Sequence, residues 1–319
     1  MRLIIMGTGP FAVPTLEALL DSSHDVLALV TRPGRPNAPA GPMHDAALAA
    51  SLPVLQPQDV NTPQPQRDLA SFQADLLVVC DYGQILSSET LRCAAKGGIN
   101  LHGSLLPKYR GAAPINWAIY HGERETGVTV IHMTPRLDAG PCLVNRATAI
   151  GGEETAEELE PRLAELGATA VLEAIAMLES WNGAEPIGVV QDNRDATRAP
   201  RLKKTDGRMD WSRPARDLVN QVRAFKPWPG TYTNWLRREG APLRLIIDRA
   251  SVAADGDAGA VERLPGRVVR ADDDAFCVAT GQGLLKITSL QPAGKRCLPA
   301  EEFLRGYRIE VGEALGDAP

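Results

Sequence analysis

An amide and an imidazole stand two residues apart in the segment GINLHG, at Asn100 and His102, within what otherwise reads as a buried strand. Residues at i and i+2 of a strand point to the same face. Both side chains therefore meet at the carboxyl end of that strand, where open α/β sheets place their ligands. Asp138, in RLDAG, falls in the turn of a predicted hairpin and can return a carboxylate to the imidazole. An amide donor, an imidazole and a carboxylate suffice for attack of an amine on an acyl carbon. His takes or relays the proton, Asp fixes its tautomer, and the Asn NH2 meets the developing oxyanion. Taken alone, Asn100 and His102 also read as a satisfied core pair. Ser104 is the obvious nucleophile, but HGSLLP lacks the G-x-S-x-G elbow, so a covalent acyl-enzyme is not expected.

These residues need a scaffold, and the first half of the chain supplies its pattern. Short apolar runs, RLIIMG, DVLALVT, ADLLVVCD and GGINLHG, alternate with helical stretches such as FAVPTLEALL. That alternation predicts a doubly wound, mostly parallel sheet with helices on both faces, an α/β fold. TGVTVIHM and PCLVNRATAI, separated by TPRLDAG, predict a hairpin on the sheet edge. Apolar residues at helical spacing between Thr155 and Trp181 predict a long amphipathic helix closing this domain. With 319 residues, two domains are expected. The polar, irregular stretch of residues 185–203 reads as the linker between a catalytic domain, residues 1–184, and a smaller C-terminal domain, residues 204–319. There a helix-like ARDLVNQVRAF and short strand-like runs with glycine turns predict an OB-like β-barrel of a kind that often binds nucleic acid. The Pro/Gly/Ala-rich residues 31–43 read as a mobile loop.

Composition bounds the partners. Residues 201–319 hold 20 Lys and Arg against 16 Asp and Glu, a balance of +4, and residues 1–200 carry −9, which points weakly to a polyanion for the second half. No apolar run reaches membrane-spanning length and the start reads as a strand, not a signal peptide, so a cytoplasmic protein without a membrane partner is expected. Five scattered cysteines, with no C-x-x-C pair and no His at metal spacing, suggest buried reduced thiols and no metal. GTGPFA fits the dinucleotide pattern G-x-G-x-x-G/A. Yet Pro10 removes a backbone donor, and Thr31-Arg32 stands where an acidic ribose ligand would be expected, so a tight turn exposing Phe11 to a pocket is the better account.

At these residues the chain resembles the folate-dependent formyltransferases. INLHGSLLPKYRGAAPINWAIYHGERETGVTVIHM followed by LDAG is similar to their active-site region. GTGPFAVPTLEAL, KKTDGRMDWS, RAFKPWPGTYT and VATGQGLLKITSLQPAGKR look like the branch that acts on methionyl initiator tRNA. The resemblance implies a Rossmann-like catalytic domain and transfer of a formyl group from 10-formyltetrahydrofolate to the α-amine of methionine on initiator tRNA. It makes Asn100, His102 and Asp138 catalytic, and gives folate contacts to Ser104, Leu105, Leu106 and Pro107. The loop Asp81, Tyr82, Gly83, Gln84, Ile85 and Leu86 would offer its backbone to the pterin ring. Phe11 would line the methionine pocket, with a helix staple as its plainer role, and Arg110 is either a substrate-facing cation or a surface ion pair. Candidate tRNA contacts are Arg32, Arg35, Arg201, Lys203, Lys204, Lys295 and Arg296. With only Arg32 and Arg35 in it, the loop after the second strand departs from the family's basic loop. The rivals are a sugar-nucleotide formyltransferase, a 10-formyltetrahydrofolate hydrolase and, more distantly, an NADP oxidoreductase.

Overall fold

A computed structural model describes residues 1–34, 40–183, 185–238, 240–254, 264–272 and 274–316. Arg35 lies outside the described residues, as do residues 36–39 of the predicted loop. Its end is already helical, since Met43 is fully buried in a helix of Pro42–Ala49. The chain forms two compact units. The first comprises Met1–Ile115, Arg124–Ile150 and Glu158–Arg201, and the second Asn116–Glu123, Gly151–Glu157 and Leu202–Pro319.

The first unit is built on β1 (Arg2–Gly7), β2 (Asp25–Val30), β3 (Val54–Leu55), β4 (Leu76–Cys80), β5 (Gly98–His102), a short β6 (Arg110–Gly111), β7 (Glu125–His132), β8 (Cys142–Ala149) and a short β9 (Arg198–Ala199). The main sheet runs β3-β2-β1-β4-β5-β7-β8. Its first five strands are parallel, and β7 and β8 add an antiparallel edge. Every residue of β4 is buried, as a strand covered by helices on both faces requires. β5 repeats that pattern except at Asn100, the one residue of the strand left half-buried. β5 is also where parallel pairing gives way to antiparallel, with Asn100 opposite Ile131 and His102 opposite Thr129. A helix over Ala156–Glu179 buries Leu159, Leu163, Val171, Ile175 and Leu178, close to the predicted bounds.

Residues 185–203 differ from a free tether. Val189 exchanges two 2.8 Å backbone hydrogen bonds with Cys142, and β9 pairs in parallel with β6. A polar, irregular composition conceals such a segment, because its backbone pairs while its side chains carry no period.

The second unit holds β10 (Thr231–Leu236), β11 (Leu243–Val252), β12 (Val268–Ala271), β13 (Phe276–Ala279), β14 (Leu284–Pro292), β15 (Leu298–Pro299) and β16 (Ala314–Gly316). They are ordered β12-β13-β14-β11-β10-β16, with an Arg267–Ala314 bridge joining the two ends of the sheet into a nearly closed barrel. Its core gathers Trp211, Trp235, Phe276 and Phe303, the last stacked on Tyr307 with ring centres 4.7 Å apart. Buried indole N–H groups need acceptors: Trp211 donates to Thr233 Oγ1 at 3.0 Å and Trp235 to Glu313 Oε2 at 3.0 Å. Within this unit the helix Ala215–Ala224 meets the segment Asn116–Glu123. The side chain of Asn116 donates to Ala224 O at 2.7 Å, and Tyr120 stacks on Phe225.

No helix of the described residues is long and apolar enough to cross a membrane. Cys80, Cys142 and Cys277 are buried and Cys93 half-buried, but Cys297 is exposed, against the expectation that all five thiols are covered. Burial also pushes the Cys80 thiol well up from its ordinary value, reinforced by the charge of Asp81. A thiol reagent should therefore label Cys297 first in the native protein, as located by peptide mass mapping, and Cys80 and Cys277 only after unfolding.

Candidate active site

Strand β5 delivers Asn100 and His102 to one place, and the loop after β7 returns Asp138 to them. His102 is 5% and Asp138 9% exposed. Asp138 Oδ1 accepts a long 3.5 Å hydrogen bond from Asn100 Nδ2, while Oδ2 accepts from the Gly111 N–H at 2.9 Å and lies 3.6 Å from His102 Nδ1. The three predicted residues thus form one cluster. His102 Nε2 stands 2.9 Å from Tyr109 O. A carbonyl oxygen only accepts, so Nε2 carries the hydrogen and Nδ1 of the neutral ring is the basic nitrogen. The tautomer is consequently set by the Tyr109 carbonyl, a partner that sequence reasoning missed and had assigned to Asp138. At 3.6 Å the carboxylate is beyond a hydrogen bond but close enough to face a positive charge formed on Nδ1.

The loop joining β5 to β6 is held from inside. Ser104, fully buried, donates to Lys108 O at 2.7 Å, and Thr129 Oγ1 donates to Ser104 O while accepting from the Leu106 N–H. Leu106 packs with Ile131 and Cys142. The side chains of Ser104 and Leu106 therefore face the protein, which leaves the half-buried Leu105 and Pro107 and the backbone for any ligand. Gly111 is required for a steric reason: its φ is +130°, and a Cβ there would sit 2.3 Å from Ala199 O.

Arg110 is half-buried, and its guanidinium is met by neutral amide side chains. Its Nε and Nη2 donate to Gln191 Oε1 at 3.1 and 2.7 Å, and its Nη1 donates to Asn193 Oδ1 at 3.0 Å. Gln191 and Thr197, whose hydroxyl accepts from the Tyr109 N–H at 2.8 Å, also escaped sequence reasoning because they lie in the stretch read as linker. The apolar pair Val189 and Val190 just ahead of Gln191 was the available signal.

In the loop of residues 81–86, Tyr82 and Leu86 anchor to the core while Ile85 is 59% exposed. Burial pushes the Tyr82 hydroxyl up to about 12, with Arg32 drawing it partly back. Gln84 accepts from the Val60 N–H at 3.0 Å, a structural tie. Phe11 is 7% exposed, in the short turn Pro10–Ala12, so most of its ring is packed. In GTGPFA a Cβ on Gly9 would fall 2.0 Å from the Asp81 carboxylate, so a negative charge covers the spot a pyrophosphate would take. Exposed Arg32 lies over Gly83. Arg201, Lys203, Lys204, Lys295 and Arg296 are all exposed, and Arg296 is engaged by Glu302. Among the described residues no His, Cys, Asp and Glu cluster is placed to hold a metal ion.

Residues 1–175 match the formyl transferase family and residues 201–308 the formyl transferase C-terminal domain. The chain is 44% identical to the methionyl-tRNA formyltransferase of Rhodopirellula baltica, covering 99% of this chain and 96% of that protein. To that of Solibacter usitatus it is 43% identical, covering 99% of each. Two more distant solved structures share the fold. One is HypX from Aquifex aeolicus in complex with tetrahydrofolic acid, at TM-score 0.63 and 19% identity over 97% of this chain and 48% of that one. The other is the N-formyltransferase from Helicobacter canadensis with folinic acid and dTDP-3-aminofucose, at TM-score 0.65 and 18% identity over 90% and 98%.

Ser104 Oγ donates its hydrogen to Lys108 O, a structural tie within the loop. Ser104→Ala should lower unfolding free energy by about 1–2 kcal/mol in urea titrations and leave no acyl-enzyme burst to lose in rapid-quench kinetics.

Proposed function

Because the chain belongs to the formyl transferase family and carries both of its domains, we propose that it transfers the formyl group of 10-formyltetrahydrofolate to the α-amine of methionine esterified to initiator tRNA. The observation that carries this reading is full-length similarity, C-terminal barrel included, to methionyl-tRNA formyltransferases. Residues 1–184 are the catalytic domain in this reading and residues 204–319 hold the tRNA.

The folate-facing surface fits a flat, partly apolar ring, because Ile85 is exposed on a loop whose Tyr82 and Leu86 are buried on either side of it. Residues 81–86, with Leu105, Pro107 and the backbone of Ser104 and Leu106, would hold it. When bound, 10-formyltetrahydrofolate supplies the formyl carbon and departs as tetrahydrofolate. Asn100 has a second amide N–H besides the one turned to Asp138, and it stabilises the oxyanion as the neutral amine adds. His102 Nδ1 takes the amine proton and returns it to the departing folate nitrogen. Asp138 faces the imidazolium in between and holds the ring against Tyr109 O. Phe11 and Arg110 are the proposed substrate-pocket residues.

His102→Ala and Asp138→Ala should each remain folded and slow turnover by about a hundredfold or more, read as single-turnover formylation of methionyl initiator tRNA. Asn100→Ala should lose roughly 3 kcal/mol of transition-state stabilisation, and a change confined to KM would remove its oxyanion role. The assay is run with the tRNA, an amino-sugar nucleotide and water as acceptors; formate release without transfer would make the protein a hydrolase.

Binding of the tRNA rests in this reading on phosphate contacts from Arg32, Arg35, Arg201, Lys203, Lys204, Lys295 and Arg296. Replacing Arg201, Lys203, Lys204, Lys295 and Arg296 together by Ala should weaken tRNA binding and flatten its log–log salt dependence by about one unit for each cation that had met a phosphate. Folate binding should be unchanged. Filter-binding titrations across salt check this, and an unaltered slope would remove these residues from the interface.

A further inference from the structure

We infer that Gln191 is a positioning residue for the transfer, one buried amide that sets the Asp138 turn and the Arg110 loop together. The inference rests on the formyl-transfer reading. Gln191 is 8% exposed. Its NH2 donates to Asp138 O at 2.9 Å and to Gly140 O at 2.7 Å, and its carbonyl oxygen accepts from Arg110 Nε at 3.1 Å and Nη2 at 2.7 Å. An amide has two N–H donors and two acceptor lone pairs, so all four are engaged. Its orientation is fixed as well, because two carbonyls lie on one side and a guanidinium, which only donates, on the other.

What the amide holds is costly to hold otherwise. Asp138 has φ +49°, in the left-handed region that non-glycine residues seldom occupy. Two carbonyls of that turn tied to one NH2 keep it there, and from there the carboxylate reaches His102 Nδ1, Asn100 Nδ2 and the Gly111 N–H. On its other side the amide grips Arg110, the neighbour of Gly111, whose N–H makes the shortest hydrogen bond to the same carboxylate. A single side chain thus registers the carboxylate and its main backbone donor against each other. Gln191 touches no reacting atom, and it acts through Asp138.

The test uses the full chain with 10-formyltetrahydrofolate and methionyl initiator tRNA. Gln191→Leu keeps the volume and removes all four hydrogen bonds. Gln191→Glu keeps an acceptor for Arg110 but turns a carboxylate oxygen toward two carbonyls. Both should lower kcat by about thirtyfold or more, as a displaced catalytic group does, with KM for folate within about twofold. In an Asp138→Ala background Gln191→Leu should add less than about a threefold loss, since the two act as one unit. Losses that multiply in the double variant would mark a merely structural role and overturn the inference. So would a Gln191→Glu protein with parental kcat, which would assign the effect to Arg110 alone. If Gln191→Leu does not fold by circular dichroism, Gln191→Glu alone decides between these outcomes. An inactive parent would sink the functional reading and this inference with it, whereas an active parent with active Gln191 variants sinks this inference alone.

Discussion

A carboxylate taken nearly out of water must be met by donors from the chain around it, and much of the first unit's loop structure follows from meeting Asp138. Its partners come from two separate places, the end of β5 and the backbone at Gly111, and the turn that carries it is held by Gln191 through its main-chain carbonyl. For Gly111 to arrive, β6 must lie flat against β9, which a side chain at that position would prevent. For β9 to be there, residues 189–199 must pair along the first unit. A stretch that looks like a connector is thereby part of the site's frame. The Tyr109 carbonyl belongs to the same loop, so the requirement that steadies the acid also fixes which imidazole nitrogen is free.

The parallel strands were legible as short continuous apolar runs, the edge hairpin as two such runs around a turn, and the long helix by its 3.6-residue period. Asn100 and His102 were legible together because an i, i+2 pair on a strand fixes a common face before any partner is known. Asp138 followed because hairpins return their turns to the sheet edge. What stayed hidden depends on backbone. Neither the Tyr109 carbonyl nor the Gly111 N–H has a sequence signature, and Gln191 sits where no period exists. Phe11, which a turn beside glycine leaves open to a pocket or to the core, is largely packed. Cys297 shows the reverse, a thiol whose type favours burial and whose place in the turn before β15 leaves it open.

The glycines of the first loop carry a similar lesson. The pattern G-x-G-x-x-A records how closely other groups approach the turn, not which group approaches. Here Ala12 and Cys80 O crowd Gly7, and the Asp81 carboxylate crowds Gly9, so both glycines are explained within the protein. Short motifs of this kind identify a close approach, and the charge of the neighbour decides whether a phosphate or a carboxylate makes it.

The barrel unit includes Asn116–Glu123 and Gly151–Glu157, segments encoded ahead of its own strands. Tyr120 stacks on Phe225, Arg213 lies over the Tyr120 ring, and Arg223 donates to Gly151 O and Glu154 O. A gene fragment that begins at the barrel therefore lacks the aromatic and carbonyl partners of its first helix. One recombination point cannot move this unit intact into another protein; the exchange must carry three pieces of coding sequence or rebuild two of them.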